Sequence, residues 1–525
     1  MPDTPGWVRD AVFYQVFPDR FAASVRVPKP GPLEPWDSPP TNYGFKGGDL
    51  LGVVEHLDHI ASVGANALYL TPVFQSASNH RYHTYDYLKV DPLLGGDAAL
   101  RELLDAAHAR GMRVILDGVF NHTGRGFWPF HHVLETGAGS PYRNWFHFDE
   151  AGLREARQIN AYPAGRLRSG QAEDAHQGEL DPGADAGSAM ARLGYEAWWG
   201  IPALPKLNIA EPGVREYLWG VGEHWLRFGV DGWRLDVPAE INDPPFWAEF
   251  RRRCRAVNPE AYLVGEMWDV APDWLAGDRF DAQMNYPLAE AIIGFVAGES
   301  LNEPLLRLHH EYGRIGRLDG AAFGGRLVGL LGAYDPAVTA VQLNLLDSHD
   351  TPRLLSILGG DRAAMQLAIL VQATLPGAPC VYYGDEIGLE GGIDPDCRRS
   401  MPWDEARWDG ELRAFVRAAL GLRHEEPLLR QGDLTVVATE GRAIAFQRSA
   451  GSDPPPEHRG DRLIVALNPG SEPARLVLDR GATPGSVAQV LPLPGWAVGE
   501  PIVADEAGDL AGWIAPRSGL VARLA

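Results

Sequence analysis

Gly229-Val230-Asp231-Gly232-Trp233-Arg234-Leu235-Asp236-Val237 reads as a buried strand carrying two charges. Arg234 and Asp236 are two residues apart, so on a strand they share one face, while Trp233, Leu235 and Val237 share the other. A charge pair at the end of a buried strand is costly unless something uses it. Helical patterns flank this strand. Upstream, Pro212 suits a first turn, Leu218, Val221, Trp225 and Phe228 form an apolar face, and Gly229 closes the helix. Downstream, Asp243-Pro244 opens a helix with Trp247, Phe250, Cys254 and Val257 on one side, and Ala261 to Glu266 is the next strand.

The same alternation runs outward in both directions. Strands are read at Val12 to Phe17, Ala67 to Leu70, Arg113 to Asp117, Ala282 to Asn285, Val341 to Asp347 and Pro379 to Tyr383. Helices are read at 50–63, after an Asp97 cap, and from Asp361 to Gln372. Residues 25–40 are proline-rich and form a loop. Eight strand–helix units imply an α/β fold, a (β/α)8 TIM barrel. A doubly wound open sheet would carry a glycine-rich phosphate turn after its first strand, and this chain has none. From 122 to 207 the period breaks, with no helix legible, which reads as a small inserted domain after strand 3. After Leu429 short strands take over: Leu434–Val437, Ala443–Phe446, Leu463–Leu467 and Leu520–Ala522, with a long hairpin loop at Ser452 to Pro456. The expected division is a barrel over 1–121 and 208–429, an inserted domain B over 122–207, and a C-terminal all-β sandwich domain over 430–525.

Composition narrows the partners. The 525 residues carry 47 Lys+Arg against 69 Asp+Glu, a net charge of -22, which disfavours nucleic acid and anionic membranes. Three cysteines cannot build a disulfide framework, and Cys254 and Cys380 fall on core positions. The N-terminus has no basic and apolar leader pattern, and no long apolar run follows, so the expected setting is cytoplasmic. Trp198-Trp199-Gly200 puts two aromatics beside a glycine, where they either stack on sugar or simply pack.

The polar motifs fall at the carboxyl ends of strands, where barrel enzymes build their sites. Asp117 to His122 leave the third strand, Arg234 and Asp236 end the fourth, Glu266 ends the fifth, and Asp347-Ser348-His349-Asp350 ends the seventh. Each alone has a structural explanation as a cap, a turn or a buried pair. Their coincidence on one rim favours chemistry. No HxH or HxxxH pair occurs among them, so a transition-metal site is not expected. Phosphoryl transfer would need a basic cluster or a phosphate loop, and the rim is acidic. Glycoside hydrolysis uses what is present: a nucleophilic carboxylate, a protonated carboxylic acid and donors for sugar hydroxyls. Arg234 beside Asp236 would keep that carboxylate anionic, and Glu266, at the end of an apolar run, could be the proton donor with a raised pKa.

At these residues the chain resembles the alpha-amylase family of glycoside hydrolases, and within it the neopullulanase, cyclomaltodextrinase and maltogenic amylase group. The resemblance rests on Asp117–His122, Gly232–Asp236, Gly265-Glu266, Leu346–Asp350, Tyr14–Phe21 and Leu204–Asn208, and covers nearly the whole chain. It implies a retaining hydrolase of α-1,4-glucosidic bonds in maltooligosaccharides, cyclodextrins or pullulan, working through a covalent glycosyl-enzyme. Asp236 is then the nucleophile, Glu266 the acid/base, and Asp350 the third carboxylate. Arg234, His122 and His349 match substrate-binding positions. Tyr82 matches a tyrosine stacked under the sugar, although Tyr85 lies nearby. A transglycosylase or maltose–trehalose isomerase would use the same site, and a non-catalytic sugar-binding protein is the distant alternative. No cofactor is expected to be required, and calcium is the one ion the resemblance leaves open. The subgroup's calcium loop is replaced here by Ala22-Ala23-Ser24-Val25, leaving Asp49 as a single matching oxygen ligand. The subgroup's dimer, built by an N-terminal β domain, is not expected, because the barrel begins near the start of this chain.

Overall fold

A computed structural model describes residues 2–154, 159–162, 186–450, 461–496 and 502–524. Eight strands make one sheet: β1 Phe13–Val16, β2 Ala67–Leu70, β3 Arg113–Gly118, β4 Gly232–Leu235, β5 Tyr262–Gly265, β6 Ala282–Gln283, β7 Leu343–Asn344 and β8 Ala378–Tyr382. Their order is β6-β5-β4-β3-β2-β1-β8-β7. A parallel bridge between Met284 and Leu343 joins the chain just past β6 to β7. The pairs β3–β4, β4–β5, β1–β8 and β7–β8 are parallel. Parallel neighbours need long crossovers. Helices supply them, among them α1 Gly96–Ala109, α2 Pro212–Phe228, α3 Pro244–Val257 and α4 Arg362–Thr374. This is the expected (β/α)8 barrel.

The chain divides into two compact units, Phe17–His56 with Tyr69–Glu266, and Met1–Val16 with Leu57–Leu68 and Met267–Ala525. The Phe17–Glu266 unit contains β4, which is buried along its whole length. A Cβ at Gly232 would stand 2.3 Å from the Tyr262 carbonyl oxygen, so glycine is what lets β4 and β5 pair there. Trp233 packs on Phe74 and Phe120 at ring distances of 6.2 and 5.9 Å. Pro212 starts α2, and Gly229 ends it with φ 108°. The Asp243 carboxylate accepts from the Phe246 N–H at 2.9 Å and caps α3, on which Cys254 is buried.

Several expectations change in detail. The helix read over 50–63 is two, Leu50–Glu55 and Leu57–Val63. Asp97 does not cap α1. Gly95 holds that position at φ 98°, and Asp97 instead accepts from the Val90 N–H at 2.9 Å. Val237 is not a strand residue. It leaves β4 in a left-handed conformation, φ 34° and ψ 52°. The inserted segment does contain helices, including Trp128–Thr136, Glu150–Arg154 and Ala186–Leu193. Packed rings hold this segment together, Phe130 lying 5.0 Å from Phe146 and 5.1 Å from Tyr195.

The second unit carries the β-rich tail. Its strands are β9 Asp433–Glu440, β10 Ala443–Ser449, β11 Arg462–Asn468, β12 Ala474–Arg480, β13 Val487–Leu491, β14 Ile502–Val503, β15 Asp509–Ile514 and β16 Ser518–Leu524. They form a sheet β9-β10-β11-β16-β13-β14 and a pair β12-β15. Ala445 and Ile464 of the first meet Leu476 and Leu510 of the second in one core, which makes a sandwich. The hairpin loop expected at Ser452 to Pro456 lies outside the described residues. β7 is shorter than Val341 to Asp347, because side chains replace ladder bonds at its end. Asn344 accepts from the Asn285 amide at 2.9 Å and donates to the Pro376 carbonyl at 2.7 Å.

Candidate active site

In the Phe17–Glu266 unit one guanidinium serves three carboxylates. Arg234 Nη1 donates to Asp236 Oδ1 at 2.9 Å and to both Asp117 oxygens at 2.9 and 3.0 Å, while Nη2 lies 3.0 Å from Glu266 Oε2. Register brings this about, since Asp117 stands opposite Arg234 in the β3–β4 pair. All four side chains are buried. Burial alone would lower the Arg234 pKa, but Asp117 and Glu266 more than reverse that and hold the cation firmly charged. Asp117 is pushed up by burial and pulled back by Arg234, Tyr69 and Tyr82. The guanidinium is therefore not reserved for Asp236. Asp117, placed on the rim by the sequence but given no role there, is its most fully engaged partner.

Two tyrosines complete the cluster. Tyr69 and Tyr82 donate to Asp117 Oδ2 at 2.9 and 3.0 Å. This separates Tyr82 from Tyr85, which packs instead against Gly124 and Gly126. The backbone N–H of Val237 donates to Glu266 Oε2 at 3.0 Å. That N–H is aimed by the left-handed turn, which costs a β-branched residue about 1–3 kcal/mol. His122 is buried and stacks on Trp198 at 4.7 Å and 6°. Burial drives its pKa down to about 3, so the ring is neutral imidazole near neutral pH.

The other unit holds the end of β7. His349 Nδ1 lies 2.8 Å from the Gln15 amide, and its Nε2 lies 3.0 Å from Asp350 Oδ2. Arg398, not expected from the sequence, donates from Nε to the His349 carbonyl at 2.7 Å and from Nη2 to Asp350 Oδ1 at 3.2 Å. Behind them two carboxyls meet. Asp347 Oδ2 accepts from the Leu354 N–H at 2.6 Å, and Asp385 is the second buried carboxyl beside it. Arg353 Nη1 lies 3.3 Å from Asp385 Oδ1. Burial, with the charge of Asp347 added, holds Asp385 well above the usual carboxylate range.

The family Alpha amylase, catalytic domain matches residues 15–419. The chain belongs to the alpha-amylase family. Among characterised members it is 41% identical to a cyclomaltodextrinase from Bacillus sp over 468 residues, 88% of this chain and 73% of that one. It is 38% identical to the cyclomaltodextrinase of Geobacillus thermopakistaniensis (strain MAS1), covering 93% of this chain and 71% of that one. The debranching enzyme from Nostoc punctiforme superposes with a TM-score of 0.82 at 42% identity over 99% of each chain. The expected resemblance to the cyclomaltodextrinase, maltogenic amylase and neopullulanase group is thus established.

Calcium does not fit this alpha-amylase family chain at Asp49. Asp49 Oδ1 accepts from the Gly52 N–H at 2.7 Å, and Oδ2 accepts from the Ser24 N–H at 3.0 Å and from Lys29 Nζ at 3.1 Å. Lys29 Nζ also donates to the Leu93 carbonyl at 2.5 Å. An ammonium supplies the positive charge there. Among the described residues no cluster of three or more His, Cys, Asp or Glu could hold a metal. Among them, too, no helix is long and apolar enough to cross a membrane.

Proposed function

We infer that the chain is a retaining glycosidase that cleaves α-1,4-glucosidic bonds of maltooligosaccharides, cyclodextrins or pullulan through a covalent glycosyl-enzyme. The observation that carries this is the single buried guanidinium shared by carboxylates at the ends of adjacent parallel strands. Asp236 attacks the anomeric carbon while Glu266 gives its proton to the leaving oxygen. Glu266 then takes a proton from water, which hydrolyses the intermediate. Arg234 keeps Asp236 ionised. The Val237 N–H, directed at Glu266, fixes that carboxyl for both proton transfers. Asp350 holds hydroxyls of the sugar at the cleavage point, with Tyr82 beneath it and His122 and His349 as further donors. Neutral His122 can offer a hydroxyl a hydrogen bond without adding charge near Glu266.

The reading includes a barrel over 1–121 and 208–429, an inserted domain over 122–207 that overhangs the site, and a sandwich over 430–525. It includes a cytoplasmic setting, supported by 35% identity to an intracellular maltogenic amylase of Bacillus subtilis. Cleavage of α-1,6 bonds is a second reading, favoured by the likeness to the Nostoc punctiforme debranching enzyme and to a cyclic α-maltosyl-(1→6)-maltose hydrolase of Arthrobacter globiformis, the latter 33% identical with a TM-score of 0.80 over 99% of this chain and 100% of that one.

Product analysis on maltose, maltotriose, cyclodextrin and pullulan tests both. Glucose and maltose from maltotriose and cyclodextrin support α-1,4 hydrolysis, and maltotriose from pullulan adds α-1,6 cleavage. Trehalose from maltose with little glucose would identify an isomerase instead. Asp236→Asn is expected to lose turnover on the order of 10⁴-fold or more while folding normally. A variant that kept most of its activity would remove Asp236 as nucleophile.

A further inference from the structure

The Trp198-Trp199-Gly200 turn is not used by the chemistry above, yet it is built with care. Trp199 sits at φ 52° and ψ 23°, a left-handed conformation that a large side chain adopts at a cost. Its indole is 57% exposed. It does not hang free: it stacks on Trp198 at 4.7 Å and 24°, and Trp198 stacks on His122 at 4.7 Å and 6°. The turn beneath is braced. The Trp198 N–H donates to the Leu204 carbonyl at 2.9 Å, the Ile201 N–H to the Trp198 carbonyl at 3.0 Å, and Arg192 to the Gly200 carbonyl at 2.7 Å.

Two polar atoms in this column are unspent. His122 Nε2 and Trp198 Nε1 are buried and have no hydrogen-bond partner among the described residues. A buried indole N–H normally finds an acceptor. An open aromatic face beside two buried, unsatisfied ring nitrogens matches the chemistry of a pyranose, whose axial C–H faces are apolar and whose rim is hydroxylated. Simple packing accounts for Trp198 but not for Trp199, whose strained backbone presents its ring to solvent.

We propose that Trp199 is a stacking platform for a glucosyl unit beyond the one being cleaved, with the Trp198 N–H as a hydroxyl donor, so that this pair sets the preference for chain length. The column begins at His122, five residues past Asp117 on the segment that leaves β3, and Tyr82 bonds Asp117. The platform and the carboxylate cluster lie in the same unit. The proposal rests on the glucan-hydrolysing reading and extends it to a specificity determinant.

The test compares kcat/KM on maltohexaose with kcat/KM on maltose for the parent protein, Trp199→Ala and Trp199→Phe. A ring–ring contact sets the scale, so the maltohexaose-to-maltose ratio is expected to fall roughly 2- to 10-fold in Trp199→Ala, with the loss in KM, and to return toward the parent in Trp199→Phe. Quenching of tryptophan fluorescence by maltohexaose in an Asp236→Asn background is expected to weaken with the alanine change by the same factor. An unchanged ratio, an equal loss on both sugars, or a failure of phenylalanine to restore the ratio overturns the platform. A parent protein that hydrolyses no α-glucan at all overturns the functional reading, and the platform with it.

Discussion

Asp385→Asn, set against Asp385→Ala, tests whether the buried pair behind His349-Asp350 holds a proton. Asp347 Oδ1 is buried with no hydrogen-bond partner among the described residues, and Asp385 is the carboxyl beside Asp347. Arg353 is tied to the Cys397 carbonyl at 2.9 Å and the Tyr383 carbonyl at 2.8 Å, and is the cation facing both acids. Cys380, Tyr382, Tyr383, Tyr14 and Glu386 surround them, and none adds positive charge. Asparagine keeps the shape and gives Asp347 an N–H donor, so its cost is expected within about 1 kcal/mol, one hydrogen bond exchanged for another. Alanine removes that donor, leaving a buried charged oxygen of Asp347 unsatisfied beside a cavity, which costs about 3 kcal/mol.

The pH dependence has a definite sign. The unfolded chain releases this proton near the ordinary value of 3.8, whereas the folded protein keeps it well above that. The folded state thus binds more protons in the interval, and stability falls as pH rises through it, by about 1.4 kcal/mol per unit for one proton. Urea unfolding followed by tryptophan fluorescence at several pH values reads both quantities. The asparagine variant should lack this part of the slope and gain on its parent toward alkaline pH. If it were as unstable as the alanine variant, or kept the parent's slope, the retained proton would be refuted.

Two further outcomes follow from the site. Val237→Gly removes the left-handed strain, so stability should rise by about 1 kcal/mol, while a looser N–H toward Glu266 lowers kcat; urea unfolding and steady-state kinetics check both, and an unchanged kcat would mean that this N–H does not position the acid. The His122 imidazole, with its pKa near 3, should show no titration in NMR spectra between pH 5 and 8. Because the unfolded chain protonates this histidine near 6.5, the group takes stability away as pH falls below that value, and His122→Phe should flatten that acid limb.

The barrel was legible because β4 and its flanking helices each show an undisturbed period, and because Arg234 and Asp236 are near enough in sequence for alternation to pair them. Asp117 was legible as a rim residue but not as the partner of Arg234. Its link to Arg234 is a register between strands far apart in sequence, and no local pattern encodes it. Arg398 reaches Asp350 across 48 positions, and nothing around it marks it. The turn at Val237 looked like strand because a valine gives no warning of positive φ. The helices of the inserted segment were hidden because they are short and separated by irregular chain, so no period is sustained. The subgroup, in contrast, was carried by short motifs whose chemistry fixes residue type and order.

Lys29 lies in the proline-rich stretch that sequence reading left as mere loop. Its ammonium, held by Asp49 and the Leu93 carbonyl, is a counter-ion covalently attached to the fold it neutralises. A dissociable ion fills its seat according to its concentration outside, and competitors or chelators can empty it. A tethered one has an occupancy set by the geometry of its own backbone. The order of this loop and of the helix that Asp49 caps then becomes a property of the polypeptide alone, indifferent to the ionic composition of its surroundings.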